Sequence, residues 1–222
     1  MTGAIIPVTP FEQNCLLLWD RTTTRGAVID PGGDVPRILD GIEQSGMQPE
    51  LILLTHGHLD HAGGAAELQR ELRRRAARPD DTHMVPIVGP DRRDAFLLNG
   101  IAEQARQYGL EGMNNARPDR WLQDGDTVAI GGHSFTVRHC PGHTPGHIVF
   151  IANDSPLAIV GDVLFQGSVG RTDFPYGDHT ALLAAIRDTL LPLDDGVQFL
   201  CGHGPGSTIG AERRTNPFIR GL

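Results

Sequence analysis

From His56 to Gly64 the chain reads HGHLDHAGG, which packs three histidines (His56, His58, His61) and Asp60 into six consecutive residues after the apolar run Leu51–Thr55. A lone histidine is usually an ordinary core or surface residue. Three imidazoles and a carboxylate buried together are different. Without a cation they would leave polar groups unpaired at about 1–3 kcal/mol each. Their nitrogen and oxygen donors suit zinc, iron or manganese better than calcium or magnesium. The spacing of two and then three residues is not the HExxH pattern of a zincin helix. Alternate side chains of an extended segment project the same way, so His56 and His58 are expected to share a face. Asp60 stands where the chain turns into a helix, a place where aspartate also serves as an N-cap. Gly63 and Gly64 are poor helix residues and predict close approach of another segment.

More donors of the same kind follow downstream. CPGHTPGH carries His143 in a Pro/Gly-rich turn, AIVGD carries Asp162 at the end of an apolar run, and FLCGHGPGS carries His203 after another. A metal-type residue directly after a buried strand, repeated along the chain, predicts a site assembled at one edge of a sheet. Five histidines and two aspartates exceed one tetrahedral site and suit two metals sharing a carboxylate.

The elements that must position these residues are legible in outline. Short apolar runs at 4–8, 15–19, 26–30, 51–55, 85–89, 147–151, 157–161 and 197–201 read as strands. Thr127–Cys140 reads as a hairpin turning at Gly131-Gly132. Helical spacing covers Val35–Ser45, with Gly46 as its stop, and also Ala62–Ala77, Asp91–Tyr108 and Thr180–Leu190. Strands first, helices interspersed and strands again predict an α/β or α+β sandwich of sheets covered by helices. Arg73–Met84 reads as an exposed loop. With no long linker in view, residues 1–222 are expected to form one domain.

Composition limits the partners. A formal net charge of −8 disfavours nonspecific binding to nucleic acid or an anionic membrane. No apolar stretch approaches the roughly 20 residues of a membrane span, and MTGAIIPVTPFEQN lacks the layout of a signal peptide. Three widely separated cysteines, Cys15, Cys140 and Cys201, argue against a disulfide framework. A cytoplasmic protein, monomeric or homodimeric, is the expectation.

THGHLDH, then PGHTPGH, GD and CGHG, resembles the metallo-β-lactamase-fold hydrolases over nearly the whole chain and in motif order. The resemblance implies an αββα four-layer sandwich. GDVLFQGSVGRTDFPYGDHTALLAAI and GHGPGSTIGAERRTNPF are similar to the short glyoxalase II-like subgroup, which looks like hydroxyacylglutathione hydrolase without its C-terminal helical domain. IIPVTPFEQNCLLL and VIDPGGD fit the same subgroup. By this resemblance His56, His58 and His143 hold one metal, Asp60, His61 and His203 hold a second, and Asp162 bridges them. His147 is expected to orient the His143 turn. Cys201 and Cys140 are expected to be structural, and His179 to sit at a helix start. His83, His133 and His139 receive no role.

The expected chemistry is hydrolysis of a small thioester, S-lactoylglutathione or a related hydroxyacyl-glutathione. Two divalent ions, zinc first and iron or manganese as alternatives, hold a bridging water near neutral pKa, and the resulting hydroxide attacks the carbonyl. Asp60 orients that hydroxide as well as binding metal, and a thiolate leaves without a separate acid. Arg171 is the expected partner of a substrate carboxylate, with Phe174 and Tyr176 (and Phe165) walling the pocket. The competing chemistry is a persulfide dioxygenase of the same fold, with one iron on the equivalents of His56, His143 and Asp162. Lactone or β-lactam hydrolysis and a non-catalytic metal scaffold stand further off. The charged segment Arg73–Asp81 is longer than expected for the subgroup and receives no function.

Overall fold

The computed structural model describes residues 1–75 and 85–222. Two mixed sheets organise the chain. The first contains β1 (Thr2–Val8), β2 (Gln13–Trp19), β3 (Arg25–Ile29), β4 (Gln48–Leu53) and β5 (Ile87–Val88), side by side in sequence order. The second contains β6 (Thr127–Ile130), β7 (His133–His139), β8 (Ile148–Ala152), β9 (Leu157–Gly161), β12 (Gln198–Cys201) and β13 (Ser207–Thr208), in the order β13-β12-β9-β8-β7-β6. A small hairpin, β10 (Leu164–Phe165) with β11 (Ser168–Val169), lies outside both sheets. All eight apolar runs contribute to strands, and the Gly131-Gly132 hairpin forms with Ile130 opposite His133. The two-residue strands β10, β11 and β13 were not legible, because two residues are too few to show a pattern.

Period-two alternation explains the layering. In β2, Leu16 and Leu18 face the second sheet, while Leu17 faces the opposite way. In β8, Ile148 and Phe150 face the first sheet and Val149 faces away. Three cores follow. The middle one lies between the sheets and holds Leu18, Ile29, Leu53, Phe135, Phe150 and Ile159. One outer core packs the first sheet under α1 (Val35–Ser45), α3 (Ala65–Arg75) and α4 (Ala95–Gln107) through Ile38, Leu68 and Leu98. The other packs the second sheet under α5 (His179–Ala185) and α6 (Ile209–Thr215) through Leu182 and Ile209. The result is the expected αββα four-layer sandwich.

The helices depart from their sequence outlines in informative ways. Instead of one helix from Ala62, a single turn, α2 (Leu59–Ala62), precedes a break at Gly63-Gly64 before α3 begins. The break lets the chain press against the loop after β3: a Cβ on Gly64 would sit 2.8 Å from the Pro31 carbonyl oxygen, and one on Gly63 2.8 Å from that of Gly32. Close approach at these glycines was the expectation, but it costs the helix its continuity. α1 ends at Gly46 as expected, with φ 67°. Asp91–Tyr108 starts as a 3-10 turn (Arg92–Asp94) before α4, and the Thr180–Leu190 segment starts one residue earlier and closes in a π turn (Ile186–Leu190). The tail of the Ala62–Ala77 outline, His83 and most of Arg73–Asp81 lie outside the described residues; Arg73–Arg75 belong to α3 rather than to a loop. No helix among the described residues is long and apolar enough to cross a membrane.

Phe150 is fully buried between the sheets, beside Val137 on one neighbouring strand and Ile159 on the other. Phe150→Ala should therefore lower unfolding free energy by about 3–5 kcal/mol. Urea denaturation followed by circular dichroism measures this; a loss below about 1 kcal/mol would mean that the two sheets do not share this core.

Candidate metal centre

Every donor singled out in the sequence emerges from the same end of the sandwich. β4 ends at Leu53 and leads to His56 and His58; α2 carries Asp60 and His61. His143 lies in the turn between β7 and β8, Asp162 follows β9, and His203 follows β12. Parallel pairing of β9 with β12 puts the last two together, and a register shift at Leu200/Cys201 re-aims the chain just before His203. Asn14 on β2 ties the two sheets at this edge: its amide N–H donates to Gly202 O at 2.7 Å, and its Nδ2 donates to Cys201 O and Gly204 O at 3.0 and 2.8 Å.

Two glycines make the convergence possible. Gly161, at φ 48°, turns the chain into Asp162, and a Cβ there would lie 2.6 Å from Thr55 Oγ1 and 2.7 Å from His147 Nε2. At Gly202 a Cβ would overlap the Asp162 carboxylate and crowd the His61 ring.

The donors form two sets. In the first, His58 Nδ1 lies 3.1 Å from His56 Nε2 and 3.0 Å from His143 Nε2. His56 and His58 were expected to converge through strand alternation. The chain actually bends at Thr55-His56, and the rings converge because they present different nitrogens. In the second set, His203 Nε2 lies 3.3 Å from Asp60 Oδ2, and His61 Nε2 lies 3.9 Å from the same oxygen. Asp162 stands between the sets: Oδ1 is 3.4 Å from His61 Nε2, while Oδ2 is 3.5 Å from His143 Nε2 and 3.6 Å from His203 Nε2. Asp60 is the second residue of α2, so it is not an N-cap, and its carboxylate faces histidines.

Proton accounting tests whether cations fit. The hydrogen of the Thr55 hydroxyl goes to Asp30 Oδ2 at 2.6 Å, so the hydroxyl can only accept from His56 Nδ1 at 3.0 Å. His143 Nδ1 donates to Arg171 O at 2.8 Å, and His203 Nδ1 to Phe11 O at 3.2 Å. His61 Nδ1 donates to the Asp30 carboxylate at 2.9 Å, and His58 Nε2 is hydrogen-bonded to the Tyr176 hydroxyl at 2.8 Å. The inward nitrogens are thus left with lone pairs aimed at one another or at carboxylates. A proton on His58 Nδ1 would serve only one of its two neighbours. His61 Nε2 and Asp162 Oδ1 are buried with no hydrogen-bond partner at all. Divalent ions satisfy this pattern, and the mixed imidazole and carboxylate donors suit zinc, iron or manganese.

The electrostatics agree for most members. Burial first, then neighbouring imidazoles, holds His56 well below the ordinary histidine range, and burial lowers His58 to about 3, so both are neutral donors. Burial opposes ionisation of Asp162, but His61 and His143 overcome it and keep the carboxylate ionised. Burial likewise opposes a charge on His61, yet Asp162 and Asp60 raise its pKa.

Several positioning residues were not recognised from sequence. Asp30 carries His61 directly and His56 through Thr55, and its Oδ1 also accepts the Thr55 amide at 2.8 Å. It ends a buried strand, the same signature that marked Asp162. Asp94 clamps the two histidine loops: it accepts from Gly57 N at 2.9 Å, Thr144 Oγ1 at 2.7 Å and Gly146 N at 2.6 Å, while burial pushes its pKa up to about 6. His147 closes the turn that carries His143, its carbonyl accepting the Cys140 amide at 2.9 Å, and its side chain has a further role. Its Nε2 accepts the Asp162 amide at 3.0 Å and its ring stacks on His56, because β8 brings it beneath the bridge position. Cys201 donates to the His203 and Pro205 carbonyls, and Cys15, Cys140 and Cys201 are all free and buried. His179 opens α5. His133 bridges Asp20 and Asp154 on the surface, and His139 contacts Pro145 O and Arg93.

A cavity of about 920 Å³ opens above the cluster, with His58, Asp60, His143, Asp162 and His203 in its floor. Phe174 and Tyr176 stack in its wall at 5.3 Å, and Phe165 and Arg171 also line it.

Residues 8–203 match the metallo-beta-lactamase superfamily. The chain is 45% identical to the hydroxyacylglutathione hydrolase GloC of Haemophilus influenzae over 220 residues, 99% of this chain and 98% of the relative. Among solved structures it is similar to the BLEG-1 B3 metallo-beta-lactamase, with 34% identity, TM-score 0.85, and coverage of 99% of this chain and 100% of the other. It is also similar to TTHA1623 in a di-iron-bound form, with 35% identity, TM-score 0.82, and coverage of 97% and 99%.

Asp30→Asn would turn an amide toward His61 Nδ1 and move the ring proton to Nε2, the inward nitrogen. Metal retention should weaken roughly 10- to 100-fold. Elemental analysis after dialysis against graded chelator reads this; wild-type retention by the variant would remove Asp30 from the support of the cluster.

Proposed function

The chain belongs to the metallo-β-lactamase superfamily, and on that premise we propose that it is a metal-dependent hydrolase of thioesters, with S-lactoylglutathione or a related hydroxyacyl-glutathione as substrate. The observation that carries this reading is a pair of donor sets joined by one carboxylate, Asp162, in the floor of an aromatic-walled cavity. His56, His58 and His143 would hold one divalent ion and Asp60, His61 and His203 a second, with Asp162 shared. Zinc is the proposed metal, and iron or manganese suits the same donors. Support comes from the relative named as a hydroxyacylglutathione hydrolase and from the similar structure described as di-iron-bound. The proposed setting is the cytoplasm, where three buried unpaired thiols persist.

When bound, such a pair of ions lowers the pKa of a shared water toward neutrality and polarises a carbonyl. The protein's own groups do the rest. Asp60 faces both His203 and the cavity, which places its carboxylate to orient a nucleophile and accept its proton. The hydroxyl of Tyr176 holds His58 from behind, so the wall of the pocket and a metal-type ring are one assembly. The stacked Phe174 and Tyr176 keep water from the acyl group on that side. A departing thiolate is stable near neutral pH, so the reaction needs no separate general acid.

Metal-loaded protein should carry about two ions per chain and release thiol from S-lactoylglutathione, followed with a thiol-reactive dye. Chelation should stop release and metal should restore it. One iron per chain, with oxygen uptake on glutathione persulfide and no thioester cleavage, would replace this function with the dioxygenase. In a separate variant, Asp60→Ala should cut kcat/KM and retention of the second ion by roughly 10- to 100-fold; intact turnover would count against the paired-ion site.

A further inference from the structure

The wall of the cavity has a charge arrangement with consequences for substrate choice. Apart from the histidines of the floor, Arg171 is the one cationic side chain lining it among the described residues. The chain contains no lysine, so arginine is its sole permanent side-chain cation. Arg171 is already engaged on two sides. Its Nε and Nη2 donate to the two oxygens of Asp173 at 2.7 and 2.8 Å, and its guanidinium carbon lies 4.5 Å over the ring centre of Phe174. A carboxylate arriving here meets a neutral pair rather than a free cation. Beyond the donors of the floor, the remaining lining is apolar or aromatic, as at Leu59, Val169 and Phe174, or polar and uncharged, as at Gln104, Gln166 and Ser168. Glutathione offers two carboxylates, but also two peptide groups and a thioester that such a lining suits.

We propose that this site selects thioesters through the acyl group and the amide and apolar surface of the thiol carrier, not through carrier carboxylates, and that Asp173 is the specificity residue that withholds Arg171 from them. The proposal rests on the thioester reading of the same site. Its substrate class is broader than glutathione conjugates: thioesters of small, uncharged amide-bearing thiols belong to it. The Arg171–Asp173 pair is solvent-exposed, so displacing it is cheap, and the effect of Asp173 is a few-fold bias rather than an absolute block.

The test compares S-lactoylglutathione with its dimethyl ester, in which both carboxylates are capped, on metal-loaded wild type and on Asp173→Asn. For wild type the KM of the diester should lie within about threefold of that of the diacid. In the variant the ratio of diester KM to diacid KM should rise roughly three- to fivefold as Arg171 becomes available. A wild-type diester KM more than about tenfold above that of the diacid would overturn the proposal, because the carboxylates would then be recognised. A ratio that stays constant or falls in the variant would overturn the role of Asp173 and show it holding Arg171 in service of the substrate. Absence of thiol release from both esters would remove the thioester function itself, a failure separate from either of these.

Discussion

Nitrogen lone pairs that face one another at about 3 Å, with two carboxylates behind them, are held in an arrangement that is unfavourable without positive charge between them. The rest of the molecule enforces it. Outward-pointing ring nitrogens are each committed to a partner: the Thr55 hydroxyl, the Asp30 carboxylate, the Tyr176 hydroxyl, and the carbonyls of Arg171 and Phe11. These partners choose the tautomers, and the tautomers aim the lone pairs. Burial then keeps His56, His58 and His143 from relieving the conflict by protonation, whereas at His61 and His203 the Asp60 and Asp162 carboxylates are close enough to win.

Such a cluster needs a rigid frame, and the four-layer sandwich supplies it. The middle core locks the two sheets face to face, so the strand ends that carry His56, Asp162 and His203 cannot drift apart. Asn14 and Asp94 then fasten the loops beyond the strand ends, the first across the two sheets and the second between the two histidine loops. Glycine appears where backbone must pass closest to the cluster. At Gly202 any side chain would collide with Asp162 and His61.

The cavity shows how a site and its selectivity share residues. Tyr176 both walls the pocket and holds His58, and the backbone of Arg171 holds His143 while its side chain faces Asp173. Residues expected only to touch substrate are therefore also part of the support for the cluster. The double use ties the loop after β11 to the metal-type rings, so changes in this loop act on binding and on the cluster together.

Much of this was legible in the linear chain, for a local reason. A buried strand announces itself as an apolar run of about five residues, and a donor directly after it is visible as the end of that run; this exposed His56, Asp162 and His203 and eight of the strands. Donor type and number likewise pointed to two cations. What the chain could not display were relations between distant residues: that Asp30 would support His61, that Asp94 would join the loops at Gly57 and Thr144, that His147 would hold the Asp162 amide, and that Asp173 would already occupy Arg171. Nor could local pattern foresee that close packing against Pro31 and Gly32 would break the helix after Ala62. Residue chemistry and short-range periodicity are written along the chain; hydrogen-bond partners, ring tautomers and free or engaged charge depend on which surfaces meet, and only folding decides that.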